Sequence, residues 1–367
     1  MLDRLDLLTS LSGVPITNTM EWEQFRRPEL MILLEDFVYG VRPHEKPDSL
    51  RFVEKCCKHN YLGLSLTFKE VEIFVNGIPF SVYLFLPQNP VEPVPAFVFC
   101  ENEYYMRQCD IREAPDQEFL PIPEIVARGY AVAVMPLYYV SPDWNHYSNY
   151  SGFKQGVFAA MQPNTTHRTH RSWATISGWA FGASRVLDYL EQNPEIDSNK
   201  VAVAGHSRAG KAALWAGATD MRFKLIIANS TGCAGAAYTR GKKGEHIKDI
   251  NISDWFCQNY HKYSDHEEML PVDQHMLLAT IAPRPLYIKS DVEDEWSDPD
   301  AELKSALLAS PVYELYGMKG VVIDDEDIIL SKKYHDGMIA YHRAPGDHDM
   351  TRFDWRCYLD FADKHLK

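Results

Sequence analysis

The chain lacks any apolar run approaching the ~18 to 20 residues that a bilayer crossing requires, so it is read as soluble. Cysteine is sparse. Seven in 367 residues, two of them the adjacent Cys56 and Cys57, make neither a disulfide framework nor paired C-x-x-C metal clusters, and buried, inert thiols are expected. Positive charge is also short: 37 Lys and Arg against 51 Asp and Glu leave a formal charge of -14. Such an excess repels phosphate-rich surfaces, which excludes nucleic acid and anionic membranes as partners. No repeat and no low-complexity tract is present. The opening MLDRLDLLTSLSGVP has acids among its leucines and no positive segment leading into an unbroken apolar one, so no signal peptide is read in this chain.

What is there is a hydrophobic content of 46%, enough for a large core in one α/β domain spanning residues 1–367. Residues 20–40 place Trp22, Phe25, Leu30, Leu33, Leu34 and Phe37 at mostly helical spacing up to Gly40. Residues 1–60 are therefore expected as a helical segment packed on the main body. SLTFKEVEIFV and FSVYLFLP alternate around Asn76-Gly77, a hairpin signal. PAFVFC (95–100) and GYAVAVMP (129–136) are continuous apolar runs that suit a sheet covered on both faces. A helical stripe follows at 176–190, then the strands VAVAG, KLIIANS, PLYIKS and MIAYHRA, and a closing helix near the C-terminus. Strands alternating with helices predict a three-layer, doubly wound, mostly parallel sheet with its site at the strand carboxyl ends. Residues 137–173 have no clear period but are dense in Tyr, His, Trp and Asn, and are expected as a loop insertion near that site.

Residues 201–218, VAVAGHSRAGKAALWAGA, admit two readings. Gly205, Gly210 and Lys211 have P-loop spacing, but Ala212 stands where a P-loop needs a magnesium-binding hydroxyl. A nucleophile elbow instead needs small residues around a serine on a sharp strand-to-helix turn; Gly205, Ala209 and Gly210 around Ser207 supply them. The elbow also predicts an acid after a late strand and a histidine after the last one. SDVEDEWSDPD follows PLYIKS, and PGDHDMT follows MIAYHRA. Both places are filled, which favours an α/β-hydrolase. Ser207 is then the nucleophile and His348 its base, since a serine hydroxyl needs a neutral imidazole to take its proton. Asp291, Glu293, Asp294, Glu295 and Asp298 compete to orient that imidazole, and Asp294 is chosen. His206 is read as a turn or packing residue, and His275 is given no role. The acidic loop lacks the spacing and glycine of an EF-hand, so no metal is required.

GHSRAGK resembles the G-x-S-R-x-G-K signature of the carbohydrate esterase family 15 glucuronoyl esterases. WEQFRRPELMILLEDFVYGVRP, ARGYAVAV, ISGWAFGASRVLDYL, LPVDQHMLLATIAPRPLYIKS, EDEWSDP and YHRAPGDHD are similar to bacterial members, over most of residues 20–366. The resemblance implies an α/β-hydrolase fold and hydrolysis, without a cofactor, of the ester between (4-O-methyl-)glucuronic acid of glucuronoxylan and an alcohol such as lignin. It implies Ser207 as nucleophile, His348 as base and Arg208 as an oxyanion donor. Lys211 matches a sugar-binding lysine, Trp296 a pocket tryptophan, and Glu245 in KKGEHI an acid that bonds sugar hydroxyls. The plain alternatives are surface ion pairs for Arg208 and Lys211, a core aromatic for Trp296 and a solvated charge for Glu245. Many members carry the triad acid just after the elbow helix, where this chain has NSTGCAGAA with Ser230 and no carboxylate, so the later-loop Asp294 is the matching acid. ENEYYM after PAFVFC is more acidic than the family's usual segment. A monomer, exported to the periplasm or secreted, is the further implication. An esterase acting on acetyl xylan or another carbohydrate ester, and a catalytically weak carbohydrate-binding homologue, are the alternatives.

Overall fold

The computed structural model describes residues 5–43, 47–102, 110–143, 152–162, 168–250 and 254–367. Among these, nine strands form one sheet: β1 (Leu50–Lys58), β2 (Leu66–Val75), β3 (Ile78–Pro87), β4 (Val94–Glu101), β5 (Ala131–Pro136), β6 (Ile196–His206), β7 (Leu225–Asn229), β8 (Leu286–Asp291) and β9 (Ile339–Ala344). Their order is β1-β2-β3-β5-β4-β6-β7-β8-β9. The pairs from β1 to β5 are antiparallel, and β5, β4, β6, β7, β8 and β9 run parallel. The β2–β3 hairpin turns at Asn76 and Gly77, whose φ angles of 46° and 86° suit a turn that follows the strand twist.

Alternation along the parallel strands divides the core between the two faces. Val98, Val203, Ile226 and Ile288 point to one side, where they meet α3 (Thr175–Leu190) and α4 (Arg208–Thr219). Phe97, Phe99, Ala202, Ile227 and Tyr287 point to the other, against α2 (Ile122–Ala127) and α6 (Arg352–Leu366). A sheet covered on both faces needs apolar residues at consecutive positions, which is why these strands read as unbroken hydrophobic runs. The helix α5 (Pro299–Leu315) follows β8 and joins the first of these two layers.

The helical reading of residues 1–60 needs correction. Helical structure there covers Thr19 to Tyr39, with α1 (Arg27–Leu34) between two wider π turns, whereas residues 50–58 are the strand β1. Pro43 and Pro47 disfavour helix at and before their positions, and the open edge of β2 accepts the following segment as an antiparallel partner. Arg51, Glu54, Lys55 and Lys58 along β1 suit an edge strand. The insertion at 137–173 also holds short helical turns at Leu137–Val140, Gly152–Lys154 and Gly156–Met161. Its residues 144–151 and 163–167 lie outside the described residues.

The order β5-β4-β6 sends the chain to opposite sides of β4, and the crevice beyond the strand carboxyl ends at such a reversal is where open α/β sheets bind ligands. The last residue of β6 is His206, so Ser207 is delivered to that crevice.

Candidate active site

Ser207 adopts φ 58° and ψ -128°, a left-handed, strained conformation for a non-glycine residue. Its amide donates to the Asn229 carbonyl at 2.9 Å, and its carbonyl accepts from Lys211 N at 3.1 Å, the first turn of α4. The glycines explain how helix and strand approach so closely. A Cβ on Gly205 would lie 2.4 Å from the Ala209 carbonyl, and one on Gly210 would lie 2.5 Å from Thr231 Cγ2 and 2.8 Å from the Gly205 oxygen. Ala209 itself packs in the buried core, and those close contacts at position 210 are what leave only glycine there.

His348 occupies the loop between β9 and α6, and its ring lies 4.4 Å, centroid to centroid, from that of His206 beside the serine. Its Nδ1 is 2.6 Å from Asp294 Oδ2. Asp294 is buried, and Ser297 N donates to its other oxygen at 3.0 Å. Burial alone would raise the Asp294 carboxyl. The hydrogen bonds from His348 and Ser297, with the charge of His348, hold it below the ordinary carboxylate value instead. An ionised Asp294 can only accept, so Nδ1 of His348 is the donor in this hydrogen bond.

The competing acids have other positions. Glu293 and Glu295 are exposed. Asp298 caps α5, accepting from Ala301 N at 3.0 Å, and also takes the Lys243 amide at 2.5 Å. Asp291 is buried at the end of β8, ion-paired with the fully buried Lys289 and accepting from Ser230 Oγ at 2.8 Å. Lys289 Nζ and Asn229 Nδ2 both donate to the Asp349 carbonyl, at 2.7 and 2.9 Å, which fastens the backbone next to His348. Ser230, with φ 44°, thus sits at the head of β7 as part of a buried hydrogen-bond network. His206 is buried, and Asn229 Nδ2 lies 2.6 Å from its Nδ1. Burial, then the charges of His348, Lys289 and Arg208, push its pKa well down. His275 Nε2 lies 2.9 Å from the Leu5 carbonyl, on the N-terminal segment.

On the other side of Ser207, Arg208 Nη1 reaches Asp143 Oδ2 at 2.5 Å, and its guanidinium carbon lies 4.7 Å from the centre of the Trp255 ring. Lys211 is buried and ion-paired with Glu245 Oε2 at 3.0 Å; its Nζ lies 5.3 Å from the same Trp255 ring. Glu245 also accepts from Trp296 Nε1 at 3.3 Å, and its amide donates to the Trp296 carbonyl at 2.8 Å. Trp296 is 55% exposed, so it is no core aromatic. Lys211, Glu245 and Trp296 form one cluster a helical turn from Ser207. Asp143 and Trp255 were not legible as site residues, because 65 residues separate Asp143 from Arg208 and 112 separate it from Trp255, with no shared motif. Of ENEYYM, Glu101 and Asn102 are described and Glu101 is buried; residues 103–106 lie outside the described residues. No cluster of His, Cys, Asp and Glu suited to a metal ion occurs among the described residues.

A mostly parallel sheet with a strained serine elbow, and with an acid and a histidine in loops after later strands, defines an α/β-hydrolase. The family model for "Glucuronyl esterase, fungi" matches residues 113–317. The chain is 34% identical to carbohydrate esterase MZ0003, from an unknown prokaryotic organism, over 98% of this chain and 89% of that protein. It is 31% identical to 4-O-methyl-glucuronoyl methylesterase 1 of Wolfiporia cocos, over 83% of this chain and 70% of that protein. The solved glucuronoyl esterase of Solibacter usitatus superposes with a TM-score of 0.89 at 34% identity, covering 99% of this chain and 97% of that one. The chain belongs to the glucuronoyl esterases, carbohydrate esterase family 15, a family of carboxylic ester hydrolases.

Proposed function

We propose that this protein hydrolyses the ester between a (4-O-methyl-)glucuronic acid unit of glucuronoxylan and an alcohol such as lignin. The observation that carries the reading is the cluster of Lys211, Glu245 and Trp296 one helical turn from Ser207: a cation, a carboxylate and an exposed indole suited to sugar hydroxyls and a sugar face. In this reading His348 Nε2 takes the Ser207 proton as Oγ attacks the C6 carbonyl of the uronate. The tetrahedral oxyanion is met by the Arg208 amide and guanidinium, the second of which suits developing negative charge. Collapse expels the alcohol, which receives the proton from His348. Water, deprotonated by the same imidazole, then attacks the glucuronoyl-enzyme and releases glucuronate and Ser207. Asp294 fixes the imidazole tautomer throughout and stabilises its charged form. The side chains named supply each proton and charge that these steps require, so no cofactor enters.

In this reading the enzyme works in the periplasm or outside the cell, where a polymer-bound ester is met. No helix among the described residues is long and apolar enough to cross a membrane. Turnover of benzyl glucuronate beside acetylated xylan tests the assignment. The expected result is a clear preference for the glucuronate ester in kcat/KM, abolished by Ser207→Ala without loss of folding. Equal or better hydrolysis of acetylated xylan would overturn the substrate class, and activity in Ser207→Ala would overturn the mechanism.

A further inference from the structure

Arginine has a long, flexible side chain, and an oxyanion donor is effective only when its position is set before the charge develops. Arg208 follows the elbow serine, yet α4 fixes only its backbone. The side chain is held from elsewhere. Asp143 accepts from Nη1 with one oxygen at 2.5 Å, and with the other it accepts the indole N–H of Trp255 at 2.8 Å. The Trp255 ring in turn lies under the guanidinium, 4.7 Å from its carbon, where cation and π face attract. Carboxylate, indole and guanidinium therefore close a triangle.

Both supports of that triangle rest on the N-terminal end of α3. The amides of Thr175 and Ile176, free of helical partners at that end, donate to the carbonyls of Asp254 and Trp255 at 3.0 and 3.2 Å. One turn further on, Trp179 Nε1 donates to the Ser141 carbonyl at 2.9 Å, two residues before Asp143. A buried helix thus sets the position of both the acid and the indole. Arg208 Nε is buried with no hydrogen-bond partner among the described residues, so Asp143 does not consume all of the guanidinium's donors.

We propose that Asp143 and Trp255 are positioning residues that hold the Arg208 guanidinium beside Ser207 for the oxyanion. The inference rests on the reading of Arg208 as an oxyanion donor given above. It also separates the two supports: Trp255 carries Lys211 on the same ring and reaches the sugar cluster, whereas the contacts of Asp143 stay within the triangle, to Arg208 and to the Trp255 indole.

The test is a double-mutant cycle on benzyl glucuronate, with kcat and KM measured for Asp143→Asn, Arg208→Ala and the pair, and folding followed by thermal melting. Asp143→Asn is expected to lower kcat roughly ten-fold with little change in KM, and to add no more than about two-fold to the loss in Arg208→Ala. Losses that simply multiply in the double variant would overturn the proposal, since Asp143 would then act independently of Arg208. So would a normal kcat in Asp143→Asn beside an impaired Arg208→Ala, an outcome that leaves the oxyanion assignment standing. A normal kcat in Arg208→Ala would overturn that assignment itself, and the proposal with it. Should Asp143→Asn fail to fold, Trp255→Phe keeps a smaller aromatic face and removes the N–H that steadies Asp143. It carries the same expectation of non-additivity with Arg208→Ala, and additive losses there overturn the proposal equally.

Discussion

At the scale of single residues, the acids after β8 show how little separates a chemical role from a structural one. Asp291 and Asp294 are three positions apart and both buried, but Asp294 faces His348 whereas Asp291 faces Lys289 and Ser230. Asp294→Asn keeps the shape and removes the acceptor that fixes the imidazole, so kcat should fall by ~10²- to 10⁴-fold with the melting temperature nearly unchanged. Asp291→Asn should act on stability instead. It leaves the ammonium of Lys289 buried with only the more distant carboxylate of Asp354, 3.9 Å away, so the loss should approach but not exceed the ~3–5 kcal/mol seen when one partner of a buried pair is removed. Thermal melting beside steady-state kinetics on one ester separates the two. A crippled kcat at normal stability in Asp291→Asn, or normal turnover in Asp294→Asn, would reverse the assignment. Sequence order alone placed an acid in this loop; which acid turns inward is decided by Ser297, whose amide draws in Asp294, and by the capping position that occupies Asp298.

At the scale of elements, the parallel strands were legible because burial on both faces demands unbroken apolar runs, and the β2–β3 hairpin because Asn-Gly supplies two positive φ angles. The strand β1 was not. Its side chains are largely exposed and charged, so its residues carry no pattern of their own, and it is a strand because β2 offers an open edge. The elbow lies between these cases. Its glycines can be read as permissive, but that position 210 must be bare follows from atoms brought together by the fold, the Thr231 side chain after β7 and the Gly205 carbonyl at the end of β6. Gly210→Ala should therefore strain the junction of β6 and α4 by ~1–3 kcal/mol, as overpacking does, and lower kcat because the relief moves Ser207. Melting temperature and kcat should fall together. A variant with unchanged values for both would mean that the helix can shift by half an ångström without disturbing the serine.

For the molecule as a whole, one carboxylate ties together three of the elements that surround the site. Glu302, in the first turn of α5, accepts from Thr231 N at 2.7 Å, from Thr231 Oγ1 at 2.9 Å and from Gly232 N at 3.0 Å, and its other oxygen accepts from Ser290 Oγ at 2.7 Å. It thereby joins α5 to the ends of β7 and β8, while Gly232 packs against Glu245 and Ser297. The side chain is fully buried, and burial outweighs the hydrogen bonds from Ser290, Gly232 and Thr231, so its pKa rises from the ordinary 4.5 to about 7. The sign follows directly. Between those two values the folded protein holds a proton that the unfolded chain has released, so the contribution of Glu302 is most favourable below about 4.5 and declines as the pH rises toward 7. A shift of this size is on the order of 3 kcal/mol across the interval. Glu302→Gln keeps an acceptor for Thr231 and Gly232 and has no proton to lose. The melting temperature of the variant relative to wild type should therefore climb as the buffer is taken from about pH 5 to about pH 8, since other titrating groups cancel in the difference. A difference that stays level over that range would mean that the donors around Glu302 keep it ionised despite its burial.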